Sequence, residues 1–200
     1  MHQFEQLKNK LDSEGLFDLS KKLSLPDSPS HIGVITSPST AAFQDILSTI
    51  KRRAPSSQVS LSPAIVQGDT AAVSLIRALD RIIKFNDNNP NNIIDVVVIS
   101  RGGGSIEDLW CFNNEDLARQ IAAFPIPVIS GVGHEIDFTI CDFVSDMRAP
   151  TPTASAEIVT EFNYQVYDKL IEIQNDLKRS IRISLKDKLQ KIQSLKGSIK

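Results

Sequence analysis

The run "IIDVVVIS" (93–100) is apolar everywhere except Asp95 and Ser100. It is short, rich in β-branched residues, and bounded by "NDNNPNN" (86–92) and "RGGGS" (101–105). It therefore reads as a strand covered on both faces, since a half-exposed strand would alternate apolar with polar. Such a strand needs a layer of helices on each side, and the neighbouring sequence supplies them. "HIGVITS" (31–37) reads as a strand, and "STAAFQDILSTIKRR" (39–53) as a helix with Phe43, Ile46, Leu47 and Ile50 on one face. "QVSLSPAIVQG" (58–68) contains a second strand, and "DTAAVSLIRALDRIIKF" (69–85) is an amphipathic helix with an Asp at its start. "NEDLARQIAAF" (114–124) is helical and "IPVISGVG" (126–133) is a fourth strand. Strands alternating with helices imply an α/β fold with a mainly parallel sheet and right-handed crossovers.

The carboxyl-terminal part differs. From Phe162 to Ile199 apolar residues recur mostly every three or four positions, with charge between them. This is a long amphipathic helix, coiled-coil-like, whose stripe calls for a partner. The division expected is a helical connector over 1–26, an α/β domain over 27–153, and the start of a long helical region over 154–200. The chain is expected to continue beyond Lys200.

Composition sets outer limits. The 200 residues carry a formal net charge of −2, which excludes a binder of nucleic acid whose whole surface is basic. A local anion site stays open. No amino-terminal apolar segment precedes a cleavage site, and no apolar run has membrane-spanning length. Cys111 and Cys141 form no CxxC pair and suggest no disulfide framework. A reducing cytoplasm is the simplest home. Catalysis by Cys111 is one reading, and a small buried hydrophobe is the plainer one.

In a parallel sheet, ligands gather beyond the carboxyl ends of the strands. Here those ends read "TSPST", "VQGD", "SRGGGS" and "SGVGHE". In "SRGGGSIEDLW" the glycines Gly102, Gly103 and Gly104 let an anion approach backbone N–H groups closely. Ser105 suits an N-cap with Asp108 three residues on, and Arg101 adds a permanent forked cation suited to phosphate. A tight turn with a surface Arg explains the same residues equally well. The motif has neither the Walker pattern nor the GxGxxG spacing. In "SGVGHEID", His134 and Asp137 lie three apart. On a helix, Asp137 would orient the imidazole as a general base or acid. An HxxD metal pair is the rival reading, and a His at a helix start satisfied by a local carboxylate is the plainer one.

Other residues carry plainer readings beside functional ones. Asp45 lies on the helix face opposite Phe43 and Ile46, which suits a solvated carboxylate. Ser37, Ser39 and Thr40 read as caps of that helix that could also touch phosphate. "KRRAP" (51–55) is a helix-end charge cluster. Arg148, in "RAPTPTASAE" (148–157), reads as an exposed residue of a proline-stiffened lead-in to the long helix. Trp110 and Phe112 could stack on a base, with core packing the stronger expectation.

Taken together, "GVITSPSTAAFQDIL", "KRRAP", "AIVQGDTAA" and the run from Arg101 to Glu157 closely resemble, in the same order, the large subunit of bacterial exodeoxyribonuclease VII. The resemblance begins near Phe4. It implies an enzyme that hydrolyses single-stranded DNA from both ends, releasing 5′-phosphorylated oligonucleotides. It carries the family's catalytic positions onto Asp45, Arg101, His134 and Asp137. Beside these, phosphate or DNA contacts are expected at Gly102, Gly103, Gly104, Ser105, Ser37 and Arg148. No cofactor is strictly required, and a Mg²⁺ held by Asp45, His134 and Asp137 is the alternative. Expected partners are single-stranded DNA, the family's small helical subunit along the long helix, and further large subunits, with no membrane. The family's OB-fold does not precede residue 27, so the chain reads as the catalytic core. Two other functions fit the residues: a non-catalytic anion- or nucleic-acid-binding assembly module on a helical stalk, and a nucleotide-dependent transferase using the same crevice.

Overall fold

A computed structural model describes residues 2–103, 107–132 and 137–197. The expected parallel sheet is present. Its strands are β1 (His31–Thr36), β2 (Gln58–Pro63), β3 (Val96–Ser100), β4 (Val128–Gly131) and β5 (Met147–Arg148), in the order β2-β1-β3-β4-β5 with every pairing parallel. The helices are α1 (His2–Ser13), α2 (Ala41–Arg53), α3 (Ala71–Asn88), α4 (Glu115–Ala122), α5 (Ile140–Val144), α6 (Pro152–Val159) and α7 (Glu161–Gly197). A 3-10 helix runs from Glu107 to Asn113.

The reading of "IIDVVVIS" holds in its physical content. All five residues of β3 are buried, as are all six of β1. Side chains of β3 alternate between two cores. Val96 and Val98 pack with Ile46 and Ile50 of α2 and with Ala156 and Val159 of α6. Val97 and Ile99 pack with Leu75 and Leu79 of α3, Leu117 of α4 and Phe112. The sheet is thus the middle of three layers. At its amino-terminal edge the Asp95 carboxylate accepts hydrogen bonds from Ser30 N at 2.7 Å, Ser30 Oγ at 2.8 Å and His31 N at 2.9 Å, fixing the start of β1 beside β3. His31 is buried there, with Nε2 2.7 Å from Ser60 Oγ, and serves the core.

The contacts of the chain separate two units, Met1–Phe162 and Asn163–Lys200. Within the first, α6 is a helix in its own right. Thr151 caps it by accepting from Ala154 N, and Pro152 sits in its first turn, where its missing N–H costs nothing. The proline-rich stretch that reads as a lead-in therefore closes the α2 side of the core. In the second unit α7 is a single uninterrupted helix. Leu170, Ile173, Leu177, Ile181, Leu189 and Ile192 all stand exposed along it.

Gly131 sets how closely α6 can approach β4. A methyl at that position would lie 3.0 Å from Ser155 Oγ, 3.1 Å from Ser155 Cβ and 3.4 Å from the Thr151 carbonyl oxygen. Gly131→Ala is expected to lower the unfolding free energy by about 1–3 kcal/mol through overpacking, read as a reduced midpoint in urea.

Helix α1 is tied to α4 by Lys10 to Glu115 at 2.7 Å, and the turn that follows α1 by Arg119 to Glu14 at 2.7 Å, with Arg119 also bonding Glu115. Hydrogen bonds from Lys10 and then Arg119 hold the Glu115 carboxyl below its ordinary 4.5, and a hydrogen bond from Arg119 does the same for Glu14. A depressed carboxylate contributes its stability above the unfolded pKa and loses it as pH falls through the folded one. The melting temperature is therefore expected to drop below pH 4.5, and Glu115→Gln should flatten that part of the profile.

Candidate functional site

The strand order leaves one natural site. From β1 the chain crosses to β2 on one side, and β3 continues to β4 and β5 on the other. Connections leaving β1 and β3 therefore diverge, and a crevice opens between their carboxyl ends. Thr36 and Ser100 end these two strands, and both are fully buried. The Thr36 hydroxyl has no hydrogen-bond partner among the described residues. Arg101 follows Ser100 directly.

Arg101 is not the surface residue of a simple turn. Only 3% of its side chain is exposed, and its guanidinium donates to Asp108 Oδ2 at 2.8 Å. A guanidinium cannot shed its charge at neutral pH, so burial demands compensation by a carboxylate. Asp108 gives that compensation from the 3-10 helix, while remaining 39% exposed itself. This partnership is the feature of the candidate site that sequence reasoning missed. It assigned Asp108 to a helix cap with Ser105, and Gly104 and Ser105 lie outside the described residues. The available signal was charge: Arg101, Glu107 and Asp108 are the charged residues of "RGGGSIEDLWCFNN".

The crevice is walled by α2. A methyl built on Gly102 would lie 3.7 Å from Ala42 Cβ, an ordinary contact distance, so the exit of β3 rests against the first turn of α2. Asp45 lies one turn further on, exposed as its helical position requires. Thr40 stands at the N-cap of α2 but makes no capping bond. Its hydroxyl donates instead to the Ser37 carbonyl at 2.8 Å, and Ser37 Oγ lies 3.4 Å from Ser39 Oγ. The capping read from "SPST" is thus replaced by a turn closed on itself. Ser37, Thr40, Ala64, Val66 and Ser74 line a cleft of about 510 Å³ between the exits of β1 and β2.

On the other side, the 3-10 helix is anchored by the buried Leu109 and Phe112. Trp110 between them is 46% exposed, so the two aromatics that sequence grouped as core part company. Asp137 precedes α5 and lies outside any helix, half-buried in a cleft of about 600 Å³ that Trp110, Phe138 and Phe143 also line. His134 lies outside the described residues, and with it the His134–Asp137 pair. Arg148 is half-buried, its guanidinium carbon 3.9 Å from the centroid of the Phe138 ring. Burial pushes the Cys111 and Cys141 thiols up, Cys111 against the opposing charge of Arg101, as befits hydrophobic packing and not nucleophiles. The structure thus brings together Arg101, Gly102 and the start of α2, while Asp137 lies with Trp110 on another cleft and Arg148 on the ring of Phe138.

The family model described as exonuclease VII, large subunit, matches residues 16–200. The chain belongs to this family. Among its relatives, an exodeoxyribonuclease 7 large subunit of Vibrio parahaemolyticus is 49% identical over 193 residues, covering 96% of this chain and 42% of that protein. The same-named protein of Geobacillus kaustophilus is 48% identical over 195 residues, 98% of this chain and 42% of its own length. This chain therefore spans less than half the length of these curated relatives.

Breaking the Arg101–Asp108 pair leaves a buried cation with less compensation. Asp108→Ala is expected to lower the unfolding free energy by roughly 1–3 kcal/mol, the partial exposure of Asp108 moderating the loss. Asp108→Asn, which keeps an acceptor, should lose less in the same denaturation measurement.

Proposed function

We propose that this chain carries the phosphodiester-hydrolysing centre of a single-strand-specific exodeoxyribonuclease, acting from both ends of the strand. The observation that carries the reading is Arg101: a buried, carboxylate-braced cation at the switch point of a parallel sheet, resting beside the first turn of α2. Phosphodiester hydrolysis asks for charge relief on the phosphoryl oxygens, an aligned water and a proton for the leaving oxygen. Arg101 supplies the first as a fixed fork, together with the backbone N–H groups of Gly102 and Gly103. The same role extends to Gly104 and Ser105. Ser37, on the neighbouring cleft, and Arg148 contact further phosphates of the strand.

In this reading His134 takes the proton of the attacking water, oriented by Asp137 or Asp45. The water oxygen bonds to phosphorus as the bond to the 3′ oxygen breaks. That oxygen takes a proton from solvent, into which His134 releases the one it accepted, leaving a 3′-hydroxyl on one product and a 5′-phosphate on the other. A Mg²⁺ held by Asp45, His134 and Asp137 is the alternative. Those residues offer two carboxylates, the oxygen donors that ion prefers.

The exposed apolar stripe of α7 supports assembly with the family's small helical subunit and with other large subunits. Among the described residues no helix is long and apolar enough to cross a membrane. The cytoplasm is the proposed home, since the two cysteines suggest no disulfide framework.

The test is nuclease activity of the full chain assembled with the small subunit. Arg101→Ala and His134→Ala should each lower turnover on single strands roughly 10²–10⁴-fold. Wild-type turnover in either variant removes that residue from the mechanism. Loss of activity on chelation, restored by Mg²⁺, selects the metal-bound alternative. If both variants keep full cellular function while Leu177→Asp abolishes it, the chain is an assembly module and not a nuclease.

A further inference from the structure

We propose that Trp110 is a stacking platform for an unpaired nucleobase of the strand whose phosphate Arg101 holds, an inference that rests on the nuclease reading. Trp110 lines two clefts at once. One, of about 550 Å³, includes Gly68, Asp69, Cys111 and Asn114. The other, of about 600 Å³, includes Asp137, Phe138 and Phe143. The indole therefore stands on the divide between them, 46% exposed. No hydrogen bond or ring contact holds it among the described residues.

The segment that carries Trp110 is firm. Leu109 and Phe112 are buried on either side of it, and Asn113 Oδ1 accepts from Ile140 N at 2.8 Å. Two residues before Trp110, Asp108 holds Arg101 at 2.8 Å. One short helix thus fixes the buried cation and presents the ring. A single strand crossing from the Arg101 crevice onto this edge meets an indole face within a short distance along the chain.

The aromatic cleft itself favours bases over phosphates. Its charged lining residues are Lys8, Glu5 and Asp137, a set without net positive charge. Its nearest cations are already seated on rings, Lys8 Nζ at 4.7 Å from the Phe143 centroid and Arg148 at 3.9 Å from that of Phe138. Phe138 and Phe143 stack on one another with centroids 5.7 Å apart. Phosphate gains little from such a wall, whereas every base has a π-face that an open indole accepts without regard to sequence. The chain as a whole, at net −2, reinforces the point.

The experiment compares wild type, Trp110→Ala and Trp110→Phe as full chains assembled with the small subunit. The probes are oligothymidylate and a strand of the same length made abasic, measured for affinity and KM across a series of salt concentrations. Trp110→Ala is expected to weaken oligothymidylate roughly 5- to 150-fold, the range for one lost base stack. The dependence of affinity on salt should stay unchanged, because no phosphate contact is lost. The abasic strand should bind both proteins alike, and Trp110→Phe should restore most of the affinity. Oligothymidylate, and not the abasic strand, should quench tryptophan emission in wild type, and that difference should vanish in Trp110→Phe. An affinity of Trp110→Ala for oligothymidylate equal to that of wild type overturns the inference, while wild-type cleavage leaves the nuclease reading intact. So does a shallower salt dependence, which would make the contact electrostatic, or failure of Trp110→Ala to assemble, which would put a protein segment on the ring. A wild-type protein that neither binds nor cleaves single strands removes the nuclease reading and this inference together.

Discussion

A guanidinium at the end of β3, 3% exposed and 2.8 Å from a carboxylate, is the constraint to which the surrounding architecture answers. Taking a permanent charge out of water costs several kcal/mol unless an opposite charge meets it with good geometry. Asp108 meets it only if the backbone from Glu107 to Asn113 is held in place. That is why the next residues are spent on anchoring: Leu109 and Phe112 enter the core, and Cys111 Sγ lies 3.7 Å from the Val66 carbonyl. Asn113 then fixes the start of α5 by accepting from Ile140 N. One ion pair thereby joins the exits of β2 and β3 to the segment that follows β4.

Topology decides where this can be useful. In the order β2-β1-β3-β4-β5 the ends of β1 and β3 are neighbours, and the cores on the two faces separate their connections. Gly33 shows how tightly the sheet beneath is built. A methyl there would lie 2.9 Å from Ile94 Cγ2 and 3.3 Å from Ile82 Cδ1, so α3 and the lead-in to β3 close directly onto β1. A rigid sheet below and the braced 3-10 helix beside it hold the buried cation in one place, an ordering that a flexible loop Arg would have to meet with side-chain entropy.

Much of this is legible in the residues, and what is not has identifiable causes. Strands β1 and β3 are readable because a doubly covered strand carries nearly continuous apolar sequence between turn residues. The extent of β2 is not, because Ala64 and Val66 are buried in the loop beyond Pro63 and look like more strand. With two residues, β5 carries no pattern at all. Helix α6 is hidden by composition: its small residues and Pro152 resemble a linker, yet Thr151 followed by Pro152 is also a helix start. Trp110 could have been separated from Phe112 by periodicity. In a helix of three residues per turn, 109 and 112 share a face and 110 does not, but nothing local announces that the helix is 3-10. Asp108 escaped because a capping partner and a salt-bridge partner look alike in one dimension.

Helix α7 poses a different geometric problem, since its apolar stripe is not a heptad. From Phe162 through Val166, Leu170, Ile173, Leu177, Ile181, Leu185 and Leu189 to Ile192, eight steps span thirty residues. The mean step is about 3.75 residues, above the 3.6 of a straight helix and well above the 3.5 of a left-handed coiled coil. Each step therefore advances the stripe by about 15° in the right-handed sense, and the whole run drifts by roughly 120°. A single partner helix with a strict heptad would follow the stripe for two or three turns and then leave it. Short helices, each seated on a few successive apolar residues, tolerate such drift because each covers a small part of it. Any helix that packed along the whole of this stripe would have to be short or wound in the same right-handed sense, a condition that follows from the step length alone.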